Sequence, residues 1–185
     1  MNVVILDYDP QWPRDFESLR RRIWPGVEDV AVAIEHVGST SVPGLAAKPV
    51  LDIDIIVESE QGVHQAIERL AKIGFTHRGN QGIEGREAFR ATTNDPNDPA
   101  HNLYVCRQNS AALRDHVTFR DYLRTNPETA KAYADLKRSL TAQFPHDVNS
   151  YATAKTDFVT RVLETAGTSA ARIAEIRREN GLTGF

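Results

Sequence analysis

The 185-residue chain carries 22 lysines and arginines against 25 acids, for a formal net charge of −3, with 41% hydrophobic and 25% charged residues. That composition suits one domain around a single core and lacks the uniformly basic surface of a nucleic-acid coat. No apolar run reaches the roughly 18 residues of a membrane span, no basic-then-apolar leader opens the chain, and the lone Cys106 excludes an internal disulfide or a thiolate-rich zinc site; a soluble, reduced, cytoplasmic protein is expected.

After Asp9-Pro10 the spacing predicts a helix to about Trp24, with Phe16, Leu19 and Ile23 on one face and Pro25-Gly26 ending it. Val30 to Val37 alternates as a strand, and residues 50–57, VLDIDIIV, form a second with two acids embedded. A helix follows from about Gln61 to Lys72, facing Val63, Ile67 and Leu70 inward. Two further strands are expected near Ala88–Thr93 and Leu103–Cys106, separated by the turn-forming NDPNDPA at 94–100. Gly79, Gly82 and Gly85 recur between putative strands and read as a mobile loop. Beyond Ser110 the chain reads as helices at 110–125, 127–143, 148–166 and 168–180, broken at Asn126-Pro127 and Pro145-His146 and stopped at Gly181. The last of these is charged and short of apolar anchors, so it reads as a loosely docked or partner-binding tail.

The chemistry concentrates in Val37 to Val57. Asp52 and Asp54 stand two apart in a strand, so their side chains share a face with Cα atoms about 6.5–7 Å apart. Two carboxylates aimed at one place repel unless protons or a cation relieve them, and hard oxygen donors favour Mg²⁺ or Mn²⁺ over zinc. The competing reading is an alternating strand that shows its acids to water. Upstream, Gly38-Ser39 with Thr40 and Ser41 forms a turn of small side chains, hydroxyls and backbone N–H groups that can admit phosphate oxygens. A phosphate cradle beside an acidic metal site makes the two halves of a phosphoryl-transfer centre.

Val37-Gly38-Ser39, a spacer, and Asp52-Ile53-Asp54-Ile55 resemble the signature of the polymerase-β-type nucleotidyltransferase superfamily. The longer string HVGSTSVPGLAAKPVLDIDI resembles the GrpB family (UPF0157-type), which has that fold and no established substrate. The likeness continues through REAFR at 86–90, AHNLYVC at 100–106, FRDYLRTNP at 119–127 and the pairs Tyr133/Lys137 and Tyr151/Lys155, to about residue 166. It implies an α+β domain over 1–166, with a mixed, largely antiparallel sheet packed against helices and a helical C-terminal half. Residues 167–185 then form a helical tail outside it. It also implies that Gly38 and Ser39 hold the phosphates of a nucleoside triphosphate while Asp52 and Asp54 coordinate Mg²⁺ or Mn²⁺. Many members of the superfamily carry a third carboxylate on a later strand. Here Glu84 and Glu87 are weak candidates, and His101-Asn102-Leu103-Tyr104 departs from the histidine-rich pattern of the GrpB family.

Other residues extend the candidate site. Lys48, just ahead of the acid strand, neutralises a phosphate or caps the strand in solvent. Arg86 and Arg90 flank Phe89 and can clamp an anion bidentately, or pair on the surface. Lys137 and Lys155 lie four residues after a tyrosine, on one helix face with it; each packs on its ring or reaches the triphosphate, with Lys155 the stronger candidate. His101 is a base or ligand, or a hydrogen-bonded structural histidine. No P-loop, no G-x-S-x-G elbow and no dinucleotide fingerprint occurs. The expected function is transfer of a nucleotidyl group from a nucleoside triphosphate to a small-molecule or protein acceptor, the negative charge arguing against a long nucleic acid. The rival is a non-catalytic nucleotide-binding or partner-binding module, in keeping with related domains fused to dephospho-coenzyme A kinase.

Overall fold

The computed structural model describes residues 4–92 and 98–181. The end of the expected strand at Thr93 and most of the NDPNDPA loop lie outside them. Helix α1 (Trp12–Ile23) has proline in its first turn, where no backbone N–H is missed, and buries Trp12, Phe16, Leu19 and Ile23. Strand β1 (Ala31–Val37) follows, then a tight turn over Ser39–Ser41 and strand β2 (Leu51–Val57). Helix α2 (Glu60–Lys72) is capped by Ser59, whose side chain accepts from the Gly62 N–H. Strands β3 (Phe75–His77), β4 (Arg86–Ala91) and β5 (His101–Arg107) complete a five-stranded sheet in the order β1-β2-β5-β4-β3. Only β2 and β5 pair in parallel; the other neighbours are antiparallel.

Strand alternation divides the sheet into two faces. Leu51, Ile53, Ile55 and Val57 of β2 and Leu103 and Val105 of β5 point to one side and join the α1 and α2 residues in the main core. Asp52, Asp54 and Ile56 of β2 point to the other, where Ile56 and Cys106 meet Leu113 of α3 (Ala111–Thr125). The C-terminal helices α3, α4 (Pro127–Gln143), α5 (Val148–Ala154), α6 (Thr156–Thr165) and α7 (Ala170–Glu179) follow. Cys106 is fully buried, and burial holds its thiol far above the ordinary range, so it is inert as a nucleophile.

Three expectations change. The three-residue strand β3 was not anticipated; it is too short to show a period, and it exists because it pairs with β4. The single helix expected over 148–166 is two. At Lys155 the backbone N–H bonds to the Ala152 carbonyl, a tighter turn that ends α5 and starts α6. The tail is docked rather than loose: Ile173 and Ile176 of α7 are buried against Leu163. Arg172 reaches Asp115 of α3 at 2.8 Å and also pairs with Glu175 at 2.7 Å and Glu179 at 2.8 Å.

Arg172→Ala leaves the largely buried Asp115 and Glu179 without their cation, a loss of about 2 kcal/mol. Amide exchange across Ala170–Glu179 is expected to quicken while that of β2 does not.

Candidate active site

The site begins at the end of β1, where the chain must pass extremely close to the acid strand. Gly38 has φ +69°, and a Cβ there would sit 2.1 Å from Asp52 Oδ2, so only glycine fits on both counts. The following turn is fixed from three sides. His36 is buried, stacks on Phe16 of α1 with ring centroids 4.7 Å apart, and meets Thr40 Oγ1 at 2.9 Å through Nε2. Burial, with Arg124 and Arg120 nearby, lowers its pKa to about 4, so it is neutral. From α3, Arg120 donates to the His36 carbonyl and Arg124 to the Ser41 carbonyl. From α4, the buried Lys137 donates to Ser39 Oγ at 3.0 Å and to the Ala46 carbonyl at 2.6 Å, with its ammonium 4.5 Å from the Tyr133 ring centroid.

Asp52 and Asp54 share the face of β2 that points to the C-terminal helices, but their surroundings differ. Asp52 is half-buried, and its Oδ1 accepts from Asn102 Nδ2 at 2.8 Å. Burial raises its pKa, opposed by Asn102, His116 and Lys155. Asp54 is 0% exposed; Oδ2 faces His116 Nδ1 at 2.8 Å, while Oδ1 is buried with no hydrogen-bond partner. Burial disfavours the charged form of His116, yet the Asp54 carboxylate outweighs it and holds the imidazole pKa above its ordinary value.

Two clefts meet at Asp52. The first, about 200 Å³, is lined by Ser39, Asp52, Lys48, Lys137, Tyr151 and Lys155. Three lysines converge there. Burial, with Lys155 and Arg138 adding repulsion, lowers the Lys137 pKa to about 7; burial also lowers that of Lys155, against the pull of Asp52. Lys155 lies 4.5 Å from the Tyr151 ring centroid. The second cleft, about 290 Å³, is lined on its sheet side by Gly38, Asp52, Arg86 and Tyr104, with His116 of α3 above them and α7 closing it.

The resemblance carried by Gly38-Ser39 and Asp52-Ile53-Asp54 implies a divalent cation. The orphaned Oδ1 of Asp54 and the neighbouring Asp52 carboxylate form a two-acid donor set, which suits Mg²⁺ because that ion takes its remaining ligands from phosphate and water. Among the described residues no cluster of three His, Cys, Asp or Glu side chains is arranged to hold a metal by itself.

The profile of the family described as "GrpB protein" matches residues 2–165. The chain belongs to the GrpB family. It is 37% identical to UPF0157 protein YqkA of Bacillus subtilis over 89% of this chain, although it spans only 47% of that relative's length. It is also 25% identical, over 83% of this chain and 43% of the relative, to a protein named dephospho-CoA kinase in Mycolicibacterium paratuberculosis. A crystal structure of the conserved protein GrpB from Enterococcus faecalis superposes with a TM-score of 0.77 at 31% identity, covering 88% of this chain and 96% of that one. At 12% identity and a TM-score of 0.56, a crystal structure of the Cid1 poly(U) polymerase bound to MgATP covers 82% of this chain and 50% of that one. The fold is therefore that of the polymerase-β-like nucleotidyltransferases.

On this GrpB fold the residues named from sequence sort by position. Ser39, Lys48, Asp52, Lys137 and Lys155 line the lysine cleft, Gly38 and Arg86 stand in the second with Asp52, and the fully buried Asp54 lines neither. Four expectations fail. Thr40 and Ser41 are buried, Thr40 Oγ1 meeting His36 Nε2 and Ser41 Oγ donating to the Gly38 carbonyl at 2.6 Å, so neither hydroxyl is offered to a phosphate. Arg90 is exposed on β4 opposite Thr76, beyond both clefts. His101 alternates to the far face of the sheet, where Nδ1 meets the Pro99 carbonyl at 2.8 Å and the ring packs edge-on to Phe75. Glu87 pairs with His77 at 2.6 Å and Glu84 is exposed, so neither joins the aspartates. In register with Asp52 and Asp54 on β5 stand Asn102 and Tyr104. His116 was missed: it lies 62 residues from its partner Asp54, and nothing in its local spacing marks it.

Gly38→Ala is expected to cost about 1–3 kcal/mol from the left-handed backbone alone and to push the Asp52 carboxylate out of register, read as a lower urea midpoint. Lys137 has its folded pKa of about 7 below the ordinary 10.5. The unfolded chain therefore binds more protons between those values, and the contribution of Lys137 to stability grows across that window and is lost as pH falls through 7. Relative to wild type, Lys137→Met is expected to lose about 1–3 kcal/mol at about pH 9 and less at about pH 6, measured by denaturant unfolding at the two pH values.

Proposed function

We propose that the protein binds a nucleoside triphosphate with Mg²⁺ or Mn²⁺ and transfers its nucleotidyl group to a hydroxyl-bearing small-molecule or protein acceptor. The observation that carries this reading is the meeting of Ser39, three lysines and Asp52 in one cleft, beside a buried carboxylate oxygen of Asp54 that has no partner. A buried anion without a donor costs several kcal/mol unless a cation or proton relieves it. When bound by Asp52 and Asp54, the divalent ion neutralises phosphate charge that develops in the transition state.

The chain's own groups do the rest. Lys137 fixes the Ser39 hydroxyl, and with Lys48 and Lys155 it holds the outer phosphates as charge-assisted donors. His116 keeps the Asp54 carboxylate in place. The acceptor oxygen forms a bond to the α-phosphorus and its proton passes to water. The bond from the α-phosphorus to the bridging oxygen breaks, and pyrophosphate remains among the lysines until it leaves.

One observation favours a second reading, in which the domain binds nucleotide or a partner without transfer. The strand that faces the aspartates presents Asn102 and Tyr104 instead of a third acid.

Nucleoside triphosphates labelled at the α-phosphate, incubated with Mg²⁺ or Mn²⁺ and a cell extract, separate the two. Label transfer is expected from the wild type and a drop of roughly a hundredfold or more in Asp52→Asn/Asp54→Asn, the scale of lost electrostatic preorganisation. Saturable nucleotide binding without transfer selects the second reading, and a wild type that binds no nucleotide overturns transfer and leaves only partner binding.

A further inference from the structure

The lining of the second cleft sets Asp52, Asp115 and Glu179 against Arg86, Arg172 and His116. Asp115 and Glu179 are both committed to Arg172, at 2.8 Å each. His116 is committed to Asp54. That leaves Arg86. Its guanidinium lies over the Tyr104 ring, 4.4 Å from the centroid, and its Nε is shielded from solvent with no hydrogen-bond partner. Among the described residues no carboxylate pairs with it. A planar fork stacked on an aromatic ring at the wall of a cleft is suited to a bidentate anion.

Position adds a second argument. Asp52 lines both clefts while the lysines line only the first, so a hydroxyl held in the second lies beside the shared carboxylate and apart from the lysines. The size of the second cleft, about 290 Å³, is that of a metabolite-sized pocket. One wall is α7, through Arg172, Ile176 and Glu179, and α7 lies beyond residues 2–165 that match the family.

We propose that this second cleft is the acceptor subsite, and that it takes a small hydroxylated anion, a carboxylate or a phosphate, held by the Arg86 guanidinium over Tyr104 and bounded by α7. The proposal rests on the nucleotidyltransferase reading for its word acceptor, but the binding site stands or falls by itself. The anion takes the guanidinium nitrogens of Arg86 that face the cleft, and its hydroxyl lies toward Asp52.

Binding of glycerate and of glycerol 3-phosphate to the full chain, followed by calorimetry or ligand-observed NMR, tests the site separately from catalysis. Saturable binding of at least one is expected, unaffected by a saturating non-hydrolysable ATP analogue with Mg²⁺. Arg86→Gln is expected to weaken that anion at least tenfold and leave the ATP analogue unchanged; Lys155→Ala is expected to do the reverse. Whichever of the two probes binds more tightly identifies carboxylate or phosphate as the preferred group. Competition between probe and nucleotide, retention of the probe by Arg86→Gln, or absence of saturable binding by either probe overturns the subsite. A wild type that binds the probes but not the ATP analogue leaves the subsite standing and removes the nucleotidyltransferase reading.

Discussion

The whole site depends on one steric fact: the backbone at Gly38 and the carboxylate of Asp52 occupy nearly touching positions, with no room for a side chain between them. This contact puts a turn rich in hydroxyls against an acid strand that is 14 residues further along the chain. It would be useless if the turn could drift. Phe16 and His36 hold it from below the sheet, Arg120 and Arg124 from α3, and Lys137 from α4. Rigid elements from both layers thus set a loop that would otherwise be the least defined part of the fold.

Charge is distributed around this point with opposite logic on its two sides. Lysines, flexible point charges suited to oxygens that lie in no single plane, gather on the side of the turn. The second side offers a planar guanidinium backed by a phenol ring, a geometry that selects a flat or compact anion. Between them Asp52 belongs to both, and Asp54 lies beneath in complete burial, its position set by His116.

Much of this was legible in the order of residues, for reasons that differ by element. The strands carrying Val30–Val37 and residues 50–57 were found to within one residue because β-branched side chains alternate with the sheet period there. The helices were marked by apolar spacing and by prolines and glycines at their ends, and Gly38-Ser39 with Asp52 and Asp54 by the family string. Thr40 and Ser41 read as phosphate donors because a run of hydroxyls looks uniform in sequence, whereas the turn aims only Ser39 outward. His101 and Arg90 depended on strand phase and distance along the strand, which a motif does not encode. His116 and the α7 wall were out of reach because they arise from packing between segments more than fifty residues apart. Arg172 illustrates the point: in sequence it is one charge in a charged tail, and in the fold it is the clamp that seats the helix.

The parallel pairing of β2 with β5 fixes Asn102 beside Asp52 and Tyr104 beside Asp54, and Asn102 already donates to the Asp52 carboxylate. An amide and an acid differ there by one nitrogen, in side chains of the same shape. The scaffold therefore stands a single isosteric exchange away from placing a third carboxylate beside Asp52 and Asp54 without moving a strand.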